Sequence, residues 1–128
     1  MAKSDSLGQF EQLVLTAILN LQDDAYGVTI HAKVEELAQP KAVSLGAVYV
    51  TLDRLEDKGL IASCLSDPTP ERGGRSKRCY RLEALGERAL QESAVTARRV
   101  WEMVTEAWGK EAGLWGPRRP KWNPVRPK

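Results

Sequence analysis

The chain has 128 residues, 42% of them hydrophobic and 28% charged, the size and composition of one ordinary globular domain. Its apolar runs stop far short of the ~18 residues of a membrane span. The opening Met-Ala-Lys-Ser-Asp-Ser lacks a secretory apolar run, so a cytoplasmic chain is expected. Two cysteines and one histidine exclude a disulfide scaffold and leave too few ligands for a structural zinc site, so neither a metal nor a cofactor is expected.

The net charge of +2 conceals an uneven distribution. Residues 1–66 carry −4, residues 67–82 carry +3, residues 83–108 carry −2 and residues 109–128 carry +5. The positive charge is therefore concentrated in two short blocks, where a polyanion would be met.

In chain order, apolar residues from Leu7 through Leu21 recur at spacings of three and four, which predicts an amphipathic helix with Ser6 as N-cap and Gln9 as its capping-box partner. Asp24 is read as the cap of a second helix with apolar positions Val28, Ile30, Val34 and Leu37, ended by Pro40. Ser44 caps a third, with Leu45, Val48, Tyr49, Leu52 and Leu55 on its apolar face and Lys58-Gly59 as its stop.

Leu60 to Ser66 then reads as a strand, residues 67–74 as a turn rich in proline and glycine, and Arg78 to Leu82 as the returning strand. Three helices followed by a hairpin is the order of a winged helix-turn-helix, a mainly α (α+β) fold, although periodicity alone also admits other small α+β folds. A fourth helix, from about Glu83 to Trp108, places Leu90, Ala94, Ala97, Trp101, Val104 and Trp108 on a heptad-like seam. That seam serves either packing on its own domain or pairing with a second copy; the three-helix core is small, which favours the pair. Four prolines break any period in 109–128, read as a disordered basic tail. The expected organisation is a winged helix-turn-helix domain over 1–82, a pairing helix over 83–108 and the tail.

From Ser44 to Ile61 the chain carries Gly-x-x-Tyr-x-x-Leu-x-x-Leu-Glu-x-x-Gly-Leu-Ile without a gap, and this run resembles the recognition helix of the PadR family of bacterial transcriptional regulators. Ala25-Tyr26-Gly27, Gly73-Gly74-Arg75-Ser76-Lys77 and Tyr80-Arg81-Leu82 agree with the same family in order, so that the likeness spans roughly residues 7–107. Glu83 and Cys79 depart from it, where threonine and an aromatic or aliphatic residue are usual. A single C-terminal helix is similar to the small subfamily.

The resemblance implies a homodimeric repressor with its third helix and wing on double-stranded DNA, its last helix at the dimer interface, and an operator that is an inverted repeat. Independently, a helix face of Ser44, Gly46, Ala47, Val50, Thr51 and Arg54 is small and polar enough for a major groove roughly 12 Å wide. Tyr49 serves either the core or a backbone phosphate. Arg72, Arg75, Lys77 and Arg78 flank Gly73 and Gly74, whose missing Cβ atoms let a loop approach DNA closely. In small members of the family flat apolar or cationic compounds bind between aromatic side chains at the dimer centre; here Trp101 holds the corresponding seam position, beside its alternative role as interface filler.

Two other functional classes stand beside this one. A winged-helix protein-interaction module would leave the basic wing incidental. An enzyme is disfavoured, because His31 has no motif joining it to Cys64 or Cys79 and no glycine-rich phosphate loop precedes a helix. Strand alternation from Leu60 puts Cys64 and Cys79 on opposite faces of the hairpin, so no disulfide between them is expected.

Overall fold

The computed structural model describes residues 7–65 and 77–109. Its elements are helix α1 (Gln9–Leu21), a 3-10 turn (Gln22–Asp24), helices α2 (Gly27–Ala38) and α3 (Leu45–Asp57), strands β1 (Ile61–Leu65) and β2 (Arg78–Leu82), and helix α4 (Ala84–Trp108). The strands pair antiparallel. An isolated bridge from Tyr26 to Cys79 adds the segment before α2 to the other edge of β2. This is the mainly helical winged helix-turn-helix order expected from the sequence.

The core follows the helical period. Val14, Leu15 and Ile18 of α1, Ile30 and Val34 of α2, and Val48, Leu52 and Leu55 of α3 are fully or almost fully buried, with Ile61 and Tyr80 closing the cluster from the hairpin. Two expected apolar positions of α2, Val28 and Leu37, are instead exposed. The helix begins at Gly27, with Tyr26 rather than Asp24 at its N-cap. Thr29 makes this start, accepting from the Tyr26 N–H at 2.9 Å and donating to the Asp24 carbonyl at 2.6 Å.

At α1 the cap is Gly8, whose N–H donates to Glu11 Oε1 at 2.9 Å. Glu11, not Gln9, is the residue that reaches back; Ser6 lies outside the described residues. The other Glu11 oxygen accepts from Lys58 Nζ at 3.0 Å, tying the end of α3 to the start of α1. Burial raises the Glu11 carboxyl, but the Gly8 N–H bond, the Lys58 bond and charge, and the Arg54 charge outweigh it and hold its pKa below its ordinary value.

The third helix ends as its sequence predicts. Gly59 takes φ 80°, the left-handed region that favours glycine. Its N–H donates to the Glu56 carbonyl at 3.0 Å and the Leu60 N–H to the Leu55 carbonyl at 3.0 Å. Leu60 therefore belongs to the helix stop, and β1 begins one residue later. This corrects the expected placement of the cysteines. Ile61 pairs with Leu82 and Ser63 with Tyr80, so Cys64 stands directly opposite Cys79 on one face. Their sulfurs are 2.8 Å apart.

The chain divides into two compact units, Met1–Ser93 and Ala94–Lys128, and the division falls inside α4 rather than at its start. In the first unit Ala89 and Leu90 pack against the core, which gives Leu90 a place in its own domain. Gly86 sits directly against the Leu60 backbone, and the Leu60 carbonyl accepts from the Glu83 N–H at 2.9 Å. In the second unit the Thr105 hydroxyl donates to the Trp101 carbonyl at 3.0 Å, within the helix. The expected tail, beyond Gly109, lies outside the described residues. Among the described residues no helix is long and apolar enough to cross a membrane.

Candidate nucleic-acid interface

A helix can read DNA only if its outer face is accessible and its own position is fixed. On α3, Ser44, Gly46, Ala47, Val50 and Arg54 are all exposed. Thr51, expected with them, is only 4% exposed and belongs to the inner face, because on the helical wheel its position flanks the buried row of Val48, Leu52 and Leu55 on the Leu55 side. The Ser44 side chain accepts from the Ala47 N–H at 3.0 Å, which satisfies one of the free donors at the helix start. Gly46 has nothing within 4 Å of where a Cβ would stand, so its neighbourhood is open.

Three contacts hold the first half of this helix and the residue ahead of it against α2. His31 Nε2 lies 2.7 Å from the Val43 carbonyl and donates to it. Glu35 Oε2 accepts from the Val43 N–H at 3.4 Å. Both backbone polar groups of Val43, the residue just ahead of the Ser44 cap, are thereby clamped by α2. Tyr49 supplies the third contact: its ring and hydroxyl occupy the space a Cβ on Gly27 would fill. At 40% exposure Tyr49 is split between the core and solvent. The Ala-Tyr-Gly and Gly-x-x-Tyr motifs, separate in sequence, are one packing contact in space. Spacing alone gave no signal of it.

The base of the wing is similarly organised. Arg78 Nη1 donates to Ser63 Oγ at 2.8 Å, and Ser63 Oγ donates to Glu56 Oε2 at 2.8 Å, linking β2 through β1 to α3. Lys77 Nζ lies 4.2 Å from the centroid of the Tyr26 ring, within cation–π range. Arg78 is thus linked to α3, and Lys77 sits at the start of α2. Arg72, Gly73, Gly74 and Arg75, the remaining wing candidates, lie outside the described residues. Between the paired strands, a hydrogen bond to the Cys79 sulfur raises the pKa of the Cys64 thiol, while the Arg81 charge opposes that shift.

In the second unit Ala94, Ala97, Trp101 and Trp108 are exposed and Val104 is half-buried. Trp101 retains 46% of its accessible surface in the single chain. No cluster of three or more metal-ligating side chains occurs among the described residues.

The fold is similar to that of a PadR family transcription regulator from Clostridium difficile R20291, with 23% identity, a TM-score of 0.63, and coverage of 80% of this chain and 100% of that one. A PadR family transcriptional regulator from Eggerthella lenta DSM 2243 is similar at 23% identity and a TM-score of 0.58, over 74% of this chain and 80% of its own. Bordetella bronchiseptica BpsR, whose DNA binding is regulated by 6-hydroxynicotinic acid, is similar at 19% identity and a TM-score of 0.58, over 91% of this chain and 73% of its own. No curated protein sequence matches the chain. The family described as "Transcriptional regulator PadR-like family" matches residues 14–92, which take in α2, α3 and both strands whole. With that match over more than half its length, and with the fold those residues build, the chain belongs to the PadR-like family of transcriptional regulators.

Proposed function

We propose that the chain is a cytoplasmic, homodimeric and non-catalytic DNA-binding repressor that occupies an inverted-repeat operator and is released by a small apolar or aromatic ligand. The observation that carries the reading is the exposed face of α3, small and polar from Ser44 to Arg54, presented by a capped and clamped helix start. Phosphate contacts from the basic wing would position the protein, and α3 would choose the sequence. Residues 1–82 serve as the DNA-reading domain and 83–108 as the pairing helix, with half-sites about one helical turn, ~34–36 Å, apart. The basic segment 109–128 adds affinity for any duplex.

Pairing through α4 would cover Ala94, Ala97, Trp101, Val104 and Trp108, whereas Leu90, expected on the same seam, packs on its own domain. A tryptophan near a two-fold axis is a flat apolar surface, which supports Trp101 as the effector contact. The regulation of BpsR by a small aromatic acid gives a precedent on a similar fold.

Fluorescence anisotropy on the promoter upstream of the protein's own gene, against a scrambled duplex and across a salt series, tests the proposal. The expected result is a preference for the promoter that survives physiological salt, with the logarithm of affinity falling by about 0.9 per phosphate contact for each tenfold rise in salt. Equal and weak binding to both duplexes that disappears with salt overturns it, and a protein-interaction module then becomes the better account.

A further inference from the structure

The hairpin contains a pair of thiols with no part in the packing described above. Cys64 and Cys79 are directly opposed in the antiparallel register. Directly paired residues in such a ladder have Cα atoms ~4.5–5.5 Å apart, inside the ~4.4–6.8 Å that a disulfide spans. The sulfurs already face each other at 2.8 Å, and the Cys79 thiol also donates to the Cys64 carbonyl at 3.3 Å. Cys64 is exposed and Cys79 half-buried, so a dissolved reagent reaches the first sulfur and the second is positioned behind it. The hydrogen bond from Cys79 holds the Cys64 thiol above its ordinary pKa, and Arg81, opposite Ala62 on the same face of the hairpin, partly offsets that shift.

We propose that Cys64 and Cys79 form a reversible dithiol–disulfide site, oxidised by small-molecule disulfides, that locks the two strands of the wing together and tightens DNA binding. The link to DNA rests on the function proposed above; the bond itself does not. In the first step the Cys64 thiolate attacks one sulfur of the small disulfide. That S–S bond breaks, a mixed disulfide forms on Cys64, and a thiolate leaves and takes up a proton. In the second step Cys79, deprotonated, attacks the Cys64 sulfur and expels the second small thiolate, which is protonated in turn. Two protein thiols are oxidised to one disulfide, one small disulfide is reduced to two thiols, and both protein protons end on the leaving groups. Disulfides in a reducing compartment are characteristically transient and regulatory, as this site requires.

The bond would bridge the hairpin where Arg78 and Ser63 connect it to α3. Order fixed before binding does not have to be acquired on binding, so the oxidised form is expected to hold duplex DNA about threefold more tightly. The full-length protein, equilibrated in glutathione buffers of increasing oxidised fraction and then alkylated, tests the site by intact mass. The expected outcome is one transition from two alkylated thiols to an unalkylated monomer about 2 Da lighter than the reduced chain, with no such species in Cys64→Ser or Cys79→Ser.

Two thiols that remain alkylatable at every ratio, or disulfides formed only between chains, overturn the site. Anisotropy on the same samples tests the coupling, with C64S as the redox-insensitive control. Equal affinity of the oxidised and reduced forms overturns that part. If the reduced protein binds no duplex at any salt, the function proposed above fails, and the mass measurement still decides the thiol pair.

Discussion

Replacing Gly86 with alanine sets two ordinary effects against each other at one atom. In an exposed helix, glycine to alanine is stabilising by about 1 kcal/mol, because the backbone loses less freedom on folding. At Gly86, however, an added Cβ would stand 3.0 Å from the Leu60 carbonyl carbon and 3.4 Å from its Cα, with the carbonyl oxygen closer still. These are backbone atoms at the α3 stop and cannot swing aside as a side-chain tip would. Overpacking of this kind costs about 1–3 kcal/mol. Pushing the Leu60 carbonyl away also strains the bond it accepts from the Glu83 N–H, worth about 1 kcal/mol. The propensity gain is therefore outweighed, and G86A is expected to be less stable by about 1–3 kcal/mol. Gly46 is the matched control, because the same substitution there meets nothing within 4 Å and should stabilise by about 0.5–1 kcal/mol. Urea unfolding followed by circular dichroism, at one fixed protein concentration, reads both. A G86A protein as stable as the parent would refute the close seating of α4 on the Leu60 backbone.

The G46A protein, although more stable, is expected to bind operator DNA at least several-fold more weakly in anisotropy, since its new methyl group points out of the α3 reading face. Glu11, whose pKa is lowered on folding, contributes stability that is present above its unfolded value and lost as pH falls through its folded value. The parent should therefore lose stability from about pH 5 downward, and Glu11→Gln should flatten that acid limb in urea titrations while being less stable at pH 7. Ser44→Ala removes the cap of α3 and should cost about 1 kcal/mol in the same unfolding assay. Trp101→Ala should weaken self-association at least tenfold in sedimentation equilibrium, the behaviour of an aromatic anchor in a dimer seam.

The parts of the fold legible in the sequence are those decided by neighbours in the chain. The Ser44 cap, the period of Val48, Leu52 and Leu55, and the glycine stop at Gly59 each depend on residues within four positions. Strand parity was misread for a physical reason: Leu60 is apolar and buried like a strand residue, but its N–H completes the helix stop. A one-residue error in where a strand begins inverts every facing within it, and the cysteines moved from opposite faces to direct opposition. Thr51 was misplaced more simply, since a small polar side chain tolerates an inner helix face that its polarity argues against.

What sequence could not reveal is how α3 is held, because those contacts join residues distant along the chain. Lys58 at its end reaches Glu11 across 47 positions, and His31 grips the Val43 carbonyl ahead of its start across 12. Tyr49 rests on Gly27 at the first turn of α2, where only a residue without a Cβ leaves room for the ring. These contacts act at the start, the middle and the end of one helix, so rotation or sliding of α3 would disturb at least one of them. A reading helix must keep its side chains in register with base edges, and a helix fixed at three points satisfies that demand better than one held by apolar packing alone. The outward face of α3, the recognition surface proposed above, is thus specified twice: locally by the residues that face outward, and at long range by polar and glycine contacts that oppose turning of the helix.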